Sequence, residues 1–316
     1  MAEVIPVPLP SQAIGGDGPR VSRIGLGCMG LSGTWNPTEV GPDHRRRAIA
    51  AFEAALAAGI TLFDHADIYG GGSCETLFKD CLQAVPGARE RIVIATKGGI
   101  RAGYYSLSAP YLTVCVEESL TRMGIDYIDL YQVHRPDPFT HPSETAGVLN
   151  DLLRRGLIRA VGVSNYYPEQ VRALQRYLDV PIRSNQIEIS LARLDPIYEG
   201  LDGGDGTLDQ CMGLGMTPLA WGPLGQGILT GARPHPAGPE RGEALRTEIT
   251  HQARQYDASY AQVALAWLLA HPAGIIPLVG STNSDHIREA AAASHIRLAR
   301  EDWYRLWVAA WGRQVP

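Results

Sequence analysis

The sequence predicts a (β/α)8 barrel of the TIM type, with a long loop after its seventh strand and an extra helix at the C-terminus. Three observations carry that expectation. Eight short apolar or β-branched runs alternate with helical patterns, glycines stand where helices return to strands, and polar residues gather at the C-terminal ends of the strand runs. At 316 residues and 45% hydrophobic composition, the chain has the length and core material for one barrel over residues 1–316.

The first strand lies in VSRIGLGCMG (21–30), followed by a helix in RRRAIAAFEAALAAG (45–59). TLFDHAD (61–67) leads to SCETLFKDCLQ (73–83), RIVIATK (91–97) to YLTVCVEESLTRMG (111–124), and YIDLYQVH (127–134) to SETAGVLNDLLRRG (143–156). IRAVGVSN (158–165) leads to PEQVRALQRYL (168–178), and SNQIEIS (184–190) to TLDQCMGLG (207–215). MTPLAWGP (216–223) reaches AQVALAWLLA (261–270) only after an insertion, and GIIPLVGS (274–281) leads to DHIREAAAA (285–293). Gly59, Gly124, Gly156 and Gly215 end helices just before the next strand, and Pro168 sits in the first turn of another, where its missing N–H costs nothing. The insertion, residues 223–257, is rich in Gly, Pro and charge and reads as a mobile loop on the face where barrels keep their sites. Trp303, Trp307 and Trp311, spaced i, i+4, i+8, form either the packed stripe of a capping helix or the wall of a pocket.

Charge and cysteine content exclude several classes. The net charge of −5 argues against a nucleic-acid groove, and Arg45, Arg46 and Arg47 read as a solvated helix face. Five cysteines without a C-x-x-C pair give neither a zinc ribbon nor a disulfide framework, so reduced thiols and a cytoplasmic location are expected. The N-terminal MAEVIPVPLPSQ lacks the apolar run of a leader, and AQVALAWLLA is too short to span a bilayer. His134 and His141 in HRPDPFTHP lack a third nearby ligand, so no metal site is expected; His44 and His65 read as ordinary polar residues.

GLGCMG (25–30) has the G-x-G-x-x-G spacing of a dinucleotide-binding turn. A Rossmann turn would run straight into a helix from its last glycine, whereas Gly30 is followed by LSGTWNPTEVGPD. That reading fails. The chemistry concentrates instead at Asp64, Lys97, His134, Ser164, Gln186 and Trp221, each at the end of a strand run, where barrel enzymes place catalytic groups.

These motifs resemble the aldo-keto reductase superfamily: DHADIYG (Asp64 to Gly70), IATKGG around Lys97, YQVHRPD around His134, GVSN, NQIEIS and AWGPLGQGILTG. The likeness runs from about Val21 to Ala293 and is nearest to a bacterial NADP-dependent oxidoreductase branch. It implies hydride transfer from NADPH to the carbonyl of a small aldehyde or ketone, reversible toward alcohol oxidation, with NADH the alternative cofactor. Tyr69 is then the general acid, Lys97 its tuner, Asp64 the partner of the lysine, and His134 the donor orienting the carbonyl. A lysine ammonium at about 4 Å, in a medium of effective dielectric constant about 20, favours a phenolate by ~4 kcal/mol before desolvation is subtracted. The resemblance further implies a nicotinamide stacked on Trp221, its carboxamide held by Ser164, Asn165 and Gln186, with Cys28, Met29, Asp64, Gly222 and Leu224 close by. It places the phosphates on GSTNSDHI through Gly280, Ser281, Asn283 and His286, with Glu289 beyond. Where many members carry Lys and Arg in that segment, this chain has Gly280 and His286; Arg241 and Arg246 in the insertion, or Arg288, are the candidate substitutes. Trp35, Tyr69, His134 and Trp221 are the expected substrate pocket, with Tyr104, Tyr105 and Phe139 near an aromatic mouth. A nucleotide-binding, redox-sensing regulatory subunit with little turnover is the alternative function.

Overall fold

In the computed structural model, which describes residues 9–197, 205–229 and 232–314, eight parallel strands close into a barrel. They are β1 (Gly25–Gly27), β2 (Leu62–Asp64), β3 (Val93–Gly98), β4 (Leu130–Val133), β5 (Val161–Ser164), β6 (Ile182–Glu188), β7 (Thr217–Trp221) and β8 (Ile276–Val279). Each pairs with its neighbours in sequence, and β8 closes on β1. The expected fold class holds. The sixth strand lies two residues earlier than its apolar run suggests, with a register shift against β5 between Ile182 and Asn185.

Helices α1 (Pro42–Ala57), α2 (Ser73–Ala84), α3 (Ala109–Met123), α4 (Pro142–Arg154), α5 (Pro168–Gln175) and α6 (Thr207–Leu214) alternate with the first six strands. Pro168 stands at the first turn of α5, and Ser259 with Gln262 forms a reciprocal capping box on α8 (Tyr260–Leu269). Gly124 and Gly215 follow α3 and α6 at φ of 65° and 66°, left-handed conformations in which a side chain would be strained. Inside the barrel, Leu62, Val93, Leu130, Leu219, Ile276 and Leu278 form an apolar layer with Ile14 and Val21. Those last two belong to an antiparallel ribbon, Ser11–Ala13 with Arg20–Ser22, whose Gly15 amide donates to Thr217 at the start of β7. This seals the N-terminal end and leaves the C-terminal end for polar groups. Among the described residues no helix is long and apolar enough to cross a membrane, while most of the N-terminal stretch read for a leader lies outside them.

The insertion departs from expectation. Its second half holds a helix, α7 (Pro239–Gln255), packed against α10 (Arg300–Trp311); Thr230 and Gly231 lie outside the described residues. Buried Leu245 and Ile249, four residues apart, supply an apolar stripe that the surrounding charge hides in the sequence. The guanidinium of Arg241 donates to the carbonyls of Ala310 and Trp311, satisfying the last turn of α10. The tryptophan stripe caps the barrel: Trp303 stacks on Trp267 of α8 at 5.1 Å and 11°, and each indole N–H donates to the other's backbone carbonyl. That geometry excludes Trp303 from a pocket wall. α9 (Ser284–Ala292) follows β8 and completes the eighth unit.

Candidate active site

Asp64, Lys97 and His134 converge because each ends, or just follows, a strand of the same face. Asp64 is the last residue of β2, Lys97 is paired in register with Gln132 of β4, and His134 follows β4 directly. Tyr69 opens the turn after β2, where Gly70, Gly71 and Gly72 take φ of 56°, 61° and 91° to carry the chain into α2. At Gly70 a Cβ would also meet the hydroxyls of Ser32 and Ser73, so the turn that delivers Tyr69 needs glycine there twice over.

The ammonium of Lys97 is fully buried and donates to Asp64 Oδ2 at 2.7 Å, to the His65 carbonyl at 2.6 Å and to Tyr69 Oη at 3.3 Å. Asp64 Oδ1 accepts from Gln132 at 3.2 Å and from Gln186 at 2.8 Å. Every acceptor and donor of this buried ion pair therefore has a partner, which burial of charge requires. Burial pulls the Lys97 pKa down, but attraction to Asp64 and Tyr69 more than offsets it, and the group stays an ammonium. For Tyr69 burial wins over Lys97, and the phenol pKa is raised. The attraction estimated from sequence is thus present but outweighed before any ligand binds: the hydroxyl holds its proton and presents it as a donor. His134 lies edge-on to the Tyr69 ring at 6.1 Å; burial, then Lys97 and Arg135, lower its pKa to about 2, so the imidazole is neutral. Its Nδ1 is sealed without a partner, which leaves Nε2 for an incoming group.

His65, passed over in the sequence as ordinary, is fully buried behind the site with neither ring nitrogen hydrogen-bonded, and burial followed by Lys97 depresses its pKa to about 3. Below about pH 6.5 the unfolded chain takes up a proton that the folded chain refuses. Stability therefore falls as pH drops toward about 3, by at most ~1.4 kcal/mol per pH unit from this residue. Asp67 opposes it: burial raises its pKa to about 6, so between about pH 4 and 6 the folded state holds a proton the unfolded state releases. His65→Phe, which fills the same space beside Phe78, is expected to flatten the acid limb of stability. Urea midpoints at about pH 7 and about pH 5 test this; an unchanged difference between them contradicts it.

Next to this centre, Ser164, Asn165, Gln186 and Trp221 form one connected network. Asn165 Nδ2 donates to Ser164 Oγ at 2.7 Å and to the His134 carbonyl at 3.5 Å; the Trp221 indole N–H donates to Asn165 Oδ1 at 3.1 Å; Ser164 Oγ donates to the Gln186 carbonyl at 3.0 Å. The polar atoms that the resemblance assigns to a carboxamide also bond to one another. Buried polar groups on adjacent strand ends must be paired, and these pair across β5, β6 and β7. Gln186 donates one amide N–H to Asp64, which leaves its second N–H and its side-chain oxygen. Asn165 is held at φ 60°, an uncommon conformation for a residue with a side chain and one that clusters at working sites.

The other predicted residues divide. Met29 is 55% exposed, whereas the Cys28 side chain is fully buried, with Sγ toward the Leu26 carbonyl. Gly222, at φ 61°, and half-buried Leu224 follow β7. In the eighth loop, Asn283 caps α9 by accepting from the amides of Asp285 and His286, and Ser281 Oγ accepts from the Asn283 amide and sits 3.4 Å from His286 Nδ1. The helix donors expected to face phosphate are engaged by the chain's own side chain, while Gly280 is open and Glu289 half-buried. Arg288 pairs with Asp285 and Arg246 with Glu243. Trp35 is 62% exposed and Phe139 99% exposed. Among the described residues no group of three or more His, Cys, Asp or Glu could hold a metal ion.

Sequence reasoning missed Gln132 and the His65 carbonyl. Gln132 was findable, since it lies two residues before His134 and so on the same face of β4. A backbone carbonyl carries no sequence signal.

Residues 23–308 match a family model described as the aldo/keto reductase family. A 6-dehydroglucose reductase of Novosphingobium aromaticivorans is 41% identical over 321 aligned residues, with 99% of each chain covered. A 6-dehydroglucose reductase of Agrobacterium fabrum is 36% identical over 306 residues, covering 94% of this chain and 96% of its own. The crystal structure of an aldo/keto reductase from Klebsiella pneumoniae in complex with NADP and acetate aligns with a TM-score of 0.75 and 27% identity, covering 91% of this chain and 90% of that one.

Proposed function

Since the chain belongs to the aldo/keto reductase family and is thereby an oxidoreductase, we propose that it reduces the carbonyl of a small aldehyde or ketone, with Tyr69 as general acid and NADPH as cofactor. One observation carries the reading: a buried Lys97 ammonium lies between the Asp64 carboxylate and the Tyr69 hydroxyl, 3.3 Å from the latter, at the open end of a barrel. NADPH, when bound, supplies the hydride. As negative charge develops on the carbonyl oxygen, the Tyr69 hydroxyl gives it a proton, and Lys97 stabilises the phenolate left behind. Asp64 keeps Lys97 charged, and neutral His134 donates from Nε2 to fix the oxygen in place.

The cofactor fits the residues present. Trp221 offers a half-buried aromatic face whose edge is fixed by Asn165, while the Gln186 oxygen and Ser164 Oγ can accept from a carboxamide. The complex of the Klebsiella relative with NADP supports the same choice. For the extra phosphate of NADPH we favour Arg288. Its exposed pair with Asp285 is worth little and can be exchanged, whereas Arg241 is committed to the end of α10. Arg288→Ala is expected to weaken NADPH binding by about tenfold with little effect on NADH. Arg241→Ala is expected to leave that ratio unchanged and to lower stability by about 1–2 kcal/mol. Fluorescence titration with both nucleotides, alongside urea unfolding, checks the pair.

The names of two relatives put a sugar-derived carbonyl compound among the first substrates to try. The deciding experiment titrates the protein with NADPH and then offers a panel of aldehydes and ketones. Turnover on any of them supports the reading, tight binding without turnover would favour a nucleotide-sensing subunit, and absence of binding would overturn both.

A further inference from the structure

We propose that Arg135 and the Glu188–Gln226 pair select polyhydroxylated carbonyl compounds over apolar ones of the same length. This deepens, and rests on, the carbonyl-reductase reading of the same site.

A cleft of about 350 Å³ borders Asn165 and Trp221 and is lined by Arg135, Glu188 and Tyr105. Arg135 immediately follows His134, and after burial and Lys97 its charge also lowers the His134 pKa. It is half-buried, yet among the described residues its side chain makes neither a hydrogen bond nor an ion pair. Its N–H donors are therefore available to a ligand that supplies acceptors.

Glu188 provides the complementary chemistry. It lies two residues beyond Gln186 on β6, hence on the same face and nearer the mouth, and it is in register with Trp221. Gln226 donates to Glu188 Oε1 at 2.9 Å, and no cation pairs with the carboxylate among the described residues. Gly222 leaves the space between them: a Cβ there would lie 3.4 Å from Gln226 Cγ and 3.8 Å from Glu188 Oε1. Gln226 is held at φ 50° and Asn165 at φ 60°, both uncommon for residues with a side chain, and Asn165 lines this cleft.

An array of guanidinium donors, carboxylate acceptors and a tyrosine matches vicinal hydroxyls, which both donate and accept. A purely anionic ligand would meet Glu188 with repulsion. An alkyl chain would strip water from both charges without replacing it, and a site built for hydroxyl partners discriminates strongly against the analogue that lacks them. With the carbonyl at Tyr69 and His134, the hydroxyls of the substrate would trail toward Arg135.

The test compares D-glyceraldehyde with propanal, which have the same carbon count, as substrates of the NADPH-loaded protein. The wild type should show a kcat/KM ratio favouring glyceraldehyde, and Arg135→Met and Glu188→Gln should each lower that ratio by about tenfold or more. Gln226→Asn, which tolerates the positive φ but is too short to reach Glu188, should lower it less. In a second readout without turnover, D-glucitol should perturb tryptophan fluorescence of the wild type and fail to do so in Arg135→Met. Equal use of the two aldehydes by the wild type, or an unchanged ratio in both charge variants, would overturn the proposal. Failure to oxidise NADPH with either aldehyde would instead sink the underlying reductase reading, and this inference with it.

Discussion

Tyr69→Phe is expected to lower turnover by about 10²–10⁴-fold, the range typical of a lost general acid, while NADPH binding and the unfolding midpoint stay near wild type. The asymmetry follows from the contacts. Among the described residues Tyr69 Oη hydrogen-bonds only to Lys97, at the long distance of 3.3 Å, and Lys97 keeps its shorter bonds to Asp64 and the His65 carbonyl when the hydroxyl is gone. Phe retains the ring that packs at right angles to His134. Single-turnover rates with saturating NADPH separate the chemical step from binding. A variant that reduced its best substrate at the wild-type rate would mean the proton comes from elsewhere.

Lys97→Met should be the most damaging single change to the fold, costing about 3–5 kcal/mol, because it strands the Asp64 carboxylate in a site that is 2% exposed. Gln132 and Gln186 would still donate to Oδ1, but Oδ2 would lose its only hydrogen-bond partner among the described residues. The double variant Asp64→Asn, Lys97→Met should recover most of that stability, since two neutral side chains of similar volume need no charge compensation. It should recover none of the activity, because the phenol then has no cation to stabilise its conjugate base. Urea unfolding of the two single variants and the double, with turnover measured on each, closes this cycle. Equal instability of the double and of Lys97→Met would show that the cost lies in packing rather than in the stranded charge.

The two predictions differ in what the sequence could have said about them. That Tyr69, Lys97, Asp64 and His134 stand together was legible from motifs at the ends of successive strands. The direction of the Tyr69 shift was not, because it depends on how completely the hydroxyl is buried, and burial sums contributions from residues scattered along the whole chain. The same limit explains the cofactor wall. GVSN and NQIEIS marked residues that form one network, yet the pairing of Gln186 with Asp64 joins positions 122 apart and appears only when β2 and β6 face each other across the barrel.

Local patterns determined the barrel itself. Period-two and 3.6-residue hydrophobic repeats and left-handed glycines act within a few neighbours, so they are readable in order along the chain. They misjudged the segment after β7, because a highly charged helix such as α7 is stabilised by a short stripe, Leu245 and Ile249, whose partners come from α10. They also could not show that Arg135 and Glu188 line one cleft. The sequence decides which residues are available and on which strand ends they stand; the tertiary structure decides which of them are already satisfied by one another, because pairing and desolvation are properties of distance in space.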